Sequence, residues 1–131
     1  MLVFTSCLLL QSCGSAVTVY HRKHPKNPKF FSAWVKYDKK SINPDCIHDY
    51  IRGRIVDTQN EPLVDASIHV SGAQTKTNLK GEFYLLVPDD TTPEGTVQFE
   101  YPGFYHIDVQ IKKVTCRILH VRMQPVAVLK E

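Results

Sequence analysis

Six histidines and four cysteines are the side chains of this 131-residue chain that offer nitrogen or sulfur ligands to a metal ion. His21 and His24 are three residues apart, and their imidazoles would converge on a metal ion if the segment were helical. Pro25 follows directly and the neighbouring residues are charged. We therefore favour an adventitious pair in a flexible segment, and we predict no metal site.

The catalytic motifs that can be recognised from residue spacing do not occur in the sequence. A zinc carboxypeptidase needs a Glu three residues after a zinc-binding His, and none of the six histidines has one. No Gly-x-Ser-x-Gly elbow and no glycine-rich phosphate loop is present either. We expect a protein without catalytic residues, without a cofactor and without a small-molecule substrate.

Two of the cysteines, Cys46 and Cys116, are separated widely in the sequence. Their spacing does not fit the clustered pairs of a zinc site. In an oxidising compartment they could form a disulfide, and closing a loop of this length would stabilise the fold by roughly 4 kcal/mol. Two unbonded, unreactive thiols fit the sequence equally well, because spacing does not show that the residues are close.

Residues 1–12 are typical of a signal peptide. The apolar stretch Leu2–Leu10 is much shorter than the ~20 residues that cross a bilayer as a helix. The sequence Leu10–Ser15 resembles a bacterial lipobox, which implies cleavage before Cys13 and a lipid on its sulfur. Gln11 is unusual for a lipobox, and no Lys or Arg precedes the apolar run. We predict an outer-membrane lipoprotein or a periplasmic protein; a plain secretory signal and a buried N-terminal strand are the alternatives.

Residues 13–46 have the composition of an irregular basic linker. They hold seven Lys or Arg residues against two Asp, and three prolines interrupt regular structure. Four aromatic residues are unusual in a solvated tether, and we predict that they contact the following domain or a partner. These residues are Phe30, Phe31, Trp34 and Tyr37. The cations could instead hold the tether on an anionic membrane surface.

Interleaved cations and aromatic rings are also found in proteins that bind single-stranded nucleic acid. The predicted export places this chain in the wrong compartment for that partner. Its formal net charge is only +3, which gives nucleic-acid binding little support. We therefore predict no nucleic-acid partner.

Residues 47–124 contain seven short runs in which apolar and polar side chains alternate, as in half-buried strands. No run shows a sustained period of 3.6 residues. The runs are 51–55, 66–70, 75–77, 83–87, 97–101, 107–111 and 119–123. Strands at such regular spacing, without helices between them, predict an all-β fold: a seven-stranded antiparallel Greek-key sandwich. A C-terminal tail would then occupy residues 125–131.

Three stretches of this region resemble the carboxypeptidase regulatory-like domain in order and spacing. Its strand, turn and strand patterns are Gly-x-Val-x-Asp, Pro-Leu-x-x-Ala and Gly-x-Phe-x-Leu. The corresponding residues are Gly53–Asp57, Pro62–Ala66 and Gly81–Leu85. Asn60 and Asp65 stand where the family usually has Gly. The resemblance covers residues 47–123 and implies a transthyretin-like sandwich.

In that family the domain accompanies zinc carboxypeptidases or precedes the plug of TonB-dependent transporters. The resemblance therefore implies a non-enzymatic envelope module that binds a protein or glycan partner, with exposed sheet edges that could accept a strand. A structural or adhesive envelope subunit is one alternative. The other is a hydroxyisourate hydrolase, a transthyretin-like enzyme with a His/Arg site. Its candidate residues here are His69, His120, Arg52 and Arg122, although the enzyme's terminal Tyr-Arg-Gly-Ser is absent.

Overall fold

A computed structural model describes residues 16–22 and 33–126 of the chain, and this part is all-β. It contains nine strands: β1 (Ala16–Arg22), β2 (Ala33–Asp38), β3 (Tyr50–Val56), β4 (Ser67–Val70), β5 (Ala73–Lys76), β6 (Glu82–Leu86), β7 (Thr96–Glu100), β8 (Ile107–Gln110) and β9 (Ile118–Arg122). Each of the seven predicted runs overlaps one of the strands β3 to β9. None of the described residues belongs to a helix long and apolar enough to span a membrane.

The strands form two sheets. The five-stranded sheet has the order β1-β2-β9-β3-β6, and the four-stranded sheet has the order β5-β4-β7-β8. All neighbouring strands are antiparallel except β3 and β9, which are parallel. The prediction of a wholly antiparallel arrangement is therefore wrong at this pair. A parallel pair needs a long crossover connection, and here residues 57–117 supply it; they contain β6 and the four strands of the other sheet.

Gly53 of β3 lies opposite Leu119 of β9. A Cβ atom at this position would overlap the carbonyl oxygen of Leu119 on β9. Glycine permits this approach because it has no side chain.

The prediction of an irregular linker is wrong for β1 and β2, and the expected seven strands are too few for the described residues. The reason is that β2 itself alternates: Val35 and Tyr37 are buried, whereas Trp34 and Lys36 point outward. Val35 lies opposite Val121 of β9, so β2 is an interior strand of the five-stranded sheet. Lys36, one of the cations that gave the segment its linker-like composition, points away from the core.

The two sheets share one hydrophobic core, which makes the fold sandwich-like. Phe83 of the five-stranded sheet meets Phe99 of the four-stranded sheet edge to face, with ring centroids 5.8 Å apart. Ile68 and Val121 are also buried, as the alternation predicted. The most deeply buried side chains are Phe99, Ile51, Ile55, Ile68, Ile107, Leu119, Met123, Val35, Val70, Val97, Val114 and Val121.

Thr77 is one of the two buried polar residues of the described chain. Its hydroxyl group donates to the carbonyl oxygen of Leu63 and accepts from the backbone N–H of Ala66 at 2.9 Å. It thereby satisfies backbone groups of the turn between β3 and β4, which includes Asp65. Asp65 and Asn60 both have left-handed backbone, with φ of 66° and 65°, a conformation that Asp and Asn tolerate better than most residues.

We predict that Val35→Ala destabilises the protein by about 2 kcal/mol, because it removes a fully buried side chain and leaves a cavity. Val126→Ala is the matched control, since Val126 is 43% exposed and should change stability by less than about 0.5 kcal/mol. Urea unfolding measures both. Equal stability of the two variants would show that β2 is not part of the cooperative core.

Candidate interaction surface on the five-stranded sheet

The alternation along each strand fixes which side chains of the five-stranded sheet point away from the core. In β3 the buried residues Ile51 and Ile55 leave Arg52 and Arg54 on the opposite side. The same alternation in the other strands gives a continuous set of outward side chains, which we call the outer face. On strands β2, β3, β6 and β9 it comprises Trp34, Lys36, Asp38, Tyr50, Arg52, Arg54, Glu82, Tyr84, Leu86, Ile118, His120 and Arg122.

Strand register places apolar groups on both sides of Arg52. Tyr84 of β6 lies directly opposite Arg52 on one side, and Ile118 of β9 lies opposite it on the other. Arg54 is flanked in the same way by Glu82 and His120. These side chains border an open groove of about 740 Å³. Its full lining is Arg52, Gly53, Arg54, Lys76, Asn78, Glu82, Phe83, Tyr84, Ile118, Leu119 and His120.

The two outer surfaces of the sandwich differ in polarity. Tyr84, Leu86 and Ile118 are 54%, 55% and 38% exposed, and these are the large apolar residues that the described strands leave exposed. All three lie on the outer face. The four-stranded sheet instead turns polar side chains outward: Ser67, His69, Gln74, Lys76, Thr96, Gln98, Glu100, Asp108 and Gln110. Contiguous exposed apolar groups beside cations are typical of binding surfaces.

The cations of the outer face have no carboxylate partner among the described residues. No described Lys or Arg side chain lies within 4.0 Å of a carboxylate oxygen, and the ion pairs that form involve histidine. On the outer face, His120 Nε2 is 3.5 Å from Asp38 Oδ2. Arg52 and Arg54 therefore carry positive charge that the described chain does not compensate by direct pairing.

Trp34 is held between two cations at one end of the outer face. Lys36 Nζ lies 4.3 Å from the centroid of its ring, and the guanidinium carbon of Arg122 lies 5.1 Å from it. Arg122 also donates to Asn60 Oδ1 at 3.4 Å. Cation–π contacts at partly exposed sites are worth about 0.5–1 kcal/mol, which favours these positions of the long side chains on the sheet.

Tyr50 and Tyr84 stack at the other end of the outer face, with centroids 5.7 Å apart and planes inclined by 22°. The guanidinium group of Arg52 lies 6.0 Å from the Tyr50 ring. Arg54 is fixed differently, because its Nε donates to the carbonyl oxygen of Lys80 at 2.9 Å. The hydrogen bond pre-orients Arg54, which lowers the entropy lost when this residue binds a ligand.

The four aromatic residues that were predicted to contact the domain or a partner do not lie together on one described surface. Trp34 is on the outer face. Tyr37 is 9% exposed, belongs to the core, and has the guanidinium of Arg117 4.1 Å from its ring centroid, so it is not accessible to a partner. Phe30 and Phe31 lie outside the described residues. Sequence reasoning missed Tyr84 and its neighbours, although apolar residues at the outward positions of β6 could have identified them.

The residues considered for a His/Arg hydrolase site do not all come together. His120, Arg52 and Arg122 share the outer face. His69 lies on the outward side of the four-stranded sheet, where its Nε2 is 3.4 Å from Glu100 Oε1. The hydrophobic core separates the two histidines, so they cannot serve one site.

Cys46 and Cys116 form a disulfide bond, with Cα atoms 6.0 Å apart. Backbone hydrogen bonds hold Cys116 beside this end of the sheet: its N–H donates to Tyr50 O at 2.8 Å and its carbonyl accepts from Asn43 N–H at 3.1 Å. Asp49 contributes a carboxylate oxygen within 4.8 Å of both sulfur atoms. Bonded sulfurs are not thiolate ligands, so this cluster is not a metal site in the disulfide form. Cys13, the predicted lipidation site, lies outside the described residues.

We predict that reducing the Cys46–Cys116 bond lowers the free energy of unfolding by about 4 kcal/mol, because it closes a loop with a sequence separation of 70. Urea unfolding with and without dithiothreitol measures the loss. The double variant Cys46→Ser, Cys116→Ser should match the reduced protein and should not respond to dithiothreitol. A response of the double variant, or no response of the native chain, would contradict this stabilising role.

No protein-family model matches the chain, and a search of curated proteins also gave no match. The outer face is the described surface that combines uncompensated cations, ordered aromatic rings and exposed apolar groups.

Proposed function

We propose that this protein is a non-enzymatic interaction module of the bacterial cell envelope, which binds a protein or glycan partner through the outer face. The observation that carries the proposal is the surrounding of Arg52. Exposed Tyr84 and Ile118 flank it on the neighbouring strands, and no described carboxylate pairs with it. Tyr and Arg are among the residue types that contribute most binding energy at protein interfaces.

The envelope location is proposed from the N-terminal sequence and supported by the disulfide. Disulfides persist in exported proteins and are rare in a reducing cytosol. If Cys13 carries a lipid, two residues separate it from Ala16, the first residue of β1. A fully extended chain covers at most about 3.6 Å per residue, so Ala16 would stay within roughly 11 Å of Cys13.

The finer fold assignment is also a proposal: a transthyretin-like Greek-key sandwich of the carboxypeptidase regulatory-like type over residues 47–124. Strands β3 to β9 and their turns support it. The folded part of the chain begins earlier, because β1 and β2 complete the five-stranded sheet. This additional pair distinguishes the protein from a bare seven-stranded domain.

A second candidate function is hydrolysis of the hydroxyisourate type, favoured by the position of His120 opposite Arg54 in the groove. It ranks lower because His120 is paired with Asp38 and His69 is on the other sheet. Turnover of that substrate by purified protein, abolished by His120→Ala, would reverse the ranking.

We predict that Arg52→Glu reduces the capture of binding partners from envelope extracts by at least about tenfold, because it reverses the charge at the centre of the outer face. Capture by immobilised protein with quantitative mass spectrometry measures this. Arg52 is exposed, so stability should change by less than about 0.5 kcal/mol. Lys112→Glu is the control, since it makes the same charge change at an exposed position off the outer face.

Unchanged capture by the Arg52→Glu variant would remove the outer face from this proposal. Concentration-dependent association of the purified chain, with no captured partner, would favour a structural or adhesive subunit. Ultracentrifugation of the same samples distinguishes that result.

We predict that the full-length chain, expressed in a lipoprotein-processing bacterium, fractionates with membranes and that Cys13→Ala moves it to the soluble fraction. The reason is that the predicted acyl chains need the Cys13 sulfur, whereas Cys7 is removed with the signal peptide. Cys7→Ala is the control and should stay with membranes. Native protein found only in the soluble fraction would contradict the anchor.

A further inference from the structure

We propose that the partner is a protein that presents an extended acidic segment. Two carboxylates, two residues apart, would bind Arg52 and Arg54, and an apolar side chain two residues further along would contact the stacked Tyr50–Tyr84 pair. This inference rests on the proposed function and names the chemistry of the partner that the outer face fits.

The spacing of outward residues along β3 carries the first step. Arg54, Arg52 and Tyr50 follow one another at intervals of two residues on one side of one strand. Successive outward side chains of a strand are about 6.6 Å apart, and an extended segment lying above β3 presents its own side chains at the same interval. An acidic-x-acidic-x-apolar segment therefore matches the strand residue by residue.

The free hydrogen-bond donors of the two arginines carry the second step. Arg54 uses Nε for the carbonyl oxygen of Lys80, which leaves its terminal nitrogens available. The side chain of Arg52 donates no hydrogen bond within the described part of the chain. Its guanidinium group lies 6.0 Å from the centroid of the Tyr50 ring. Guanidinium groups bind carboxylates in a planar, often bidentate geometry that a lysine does not provide.

Glu82 sets the position of the ligand across the sheet. It lies opposite Arg54 on β6 and has Asn78 Nδ2 3.5 Å from its Oε1. A ligand carboxylate over β6 would be repelled by Glu82 beside Arg54, whereas on the other side of Arg54 His120 of β9 lies between it and Asp38 of β2. The acidic segment therefore lies between β3 and β9.

The apolar end of the outer face favours a protein over an acidic polysaccharide. Leu86 lies opposite Tyr50, and Leu86 and Ile118 are 55% and 38% exposed. Apolar side chains of a protein partner gain by burial against these groups, whereas sugar hydroxyls pressed against them lose hydrogen bonds to water. The site is also a groove bordered by Lys76 and Asn78, which suits a chain segment better than a flat bilayer.

Fluorescence anisotropy with labelled synthetic peptides tests the proposal. The peptide Glu-Thr-Glu-Thr-Leu should bind the full chain at least about tenfold more tightly than Gln-Thr-Gln-Thr-Leu, since its carboxylates form charge-assisted hydrogen bonds. Glu-Glu-Thr-Thr-Leu, with the same composition, should bind more weakly because adjacent side chains of an extended segment point to opposite sides. Binding should weaken as salt is raised.

Two single variants locate the binding. Arg52→Gln and Arg54→Gln should each weaken binding of the first peptide by at least about tenfold, and Lys112→Gln should leave it unchanged. Equal binding of all three peptides, or an unchanged affinity in both arginine variants, overturns the inference. Polygalacturonate bound in preference to the peptide also overturns it and assigns the face to an acidic glycan.

The two levels of the proposal fail separately. If Arg52→Glu loses captured partners but the peptides are not distinguished, the face is an interaction surface and the acidic-segment inference is wrong. If capture is insensitive to Arg52→Glu as well, the proposed function of the face is wrong.

Discussion

The shared core of the two sheets is the constraint on which the rest of the structure depends. Successive side chains of a strand point to opposite sides of the sheet. A residue whose side chain is buried in the core therefore has neighbours whose side chains point to the opposite surface. Burial of Ile51 and Ile55 therefore places Arg52 and Arg54 on the outer face without any further interaction. A register slip of one residue would exchange these sets, and the loss of apolar burial makes such a slip unfavourable. The same force that stabilises the fold thus fixes the candidate site.

The two outer surfaces of the sandwich differ in the polarity of the side chains at their outward positions. Outward positions of the four-stranded sheet are polar, as expected for a solvated surface. Those of the five-stranded sheet combine unpaired guanidinium groups with Tyr84, Leu86 and Ile118, which gain nothing from exposure to water. The proposed binding to a partner would remove these apolar side chains from water.

Periodicity in the sequence predicted the strands from β3 onward because their apolar residues alternate over several positions. It missed β1 and β2, because the prolines and lysines around these short strands gave residues 13–46 the composition of a linker. The pairing of distant strands could not be predicted, because nothing local says that β9 lies between β2 and β3. Arg52 was a candidate residue from the sequence, but its neighbours Tyr84 and Ile118 depend on that pairing. The disulfide was left open for the same reason, since only the fold brings Cys46 beside Cys116.

The central position of β9 has a consequence for how the protein acquires its structure. The five-stranded sheet receives its middle strand last among the described elements, between two strands that are made much earlier. Until β9 is available, β2 and β3 each have an unpaired edge. The part of the sheet that contains β2 cannot join the part that contains β3, because β9 lies between them. Contacts of such long sequence separation slow folding, because the entropy of closing the intervening chain is lost before the strands pair. A chain interrupted before Ile118 would therefore form a hairpin and a partial sheet, with two unpaired strand edges. Such a species tends to aggregate and is removed by proteases.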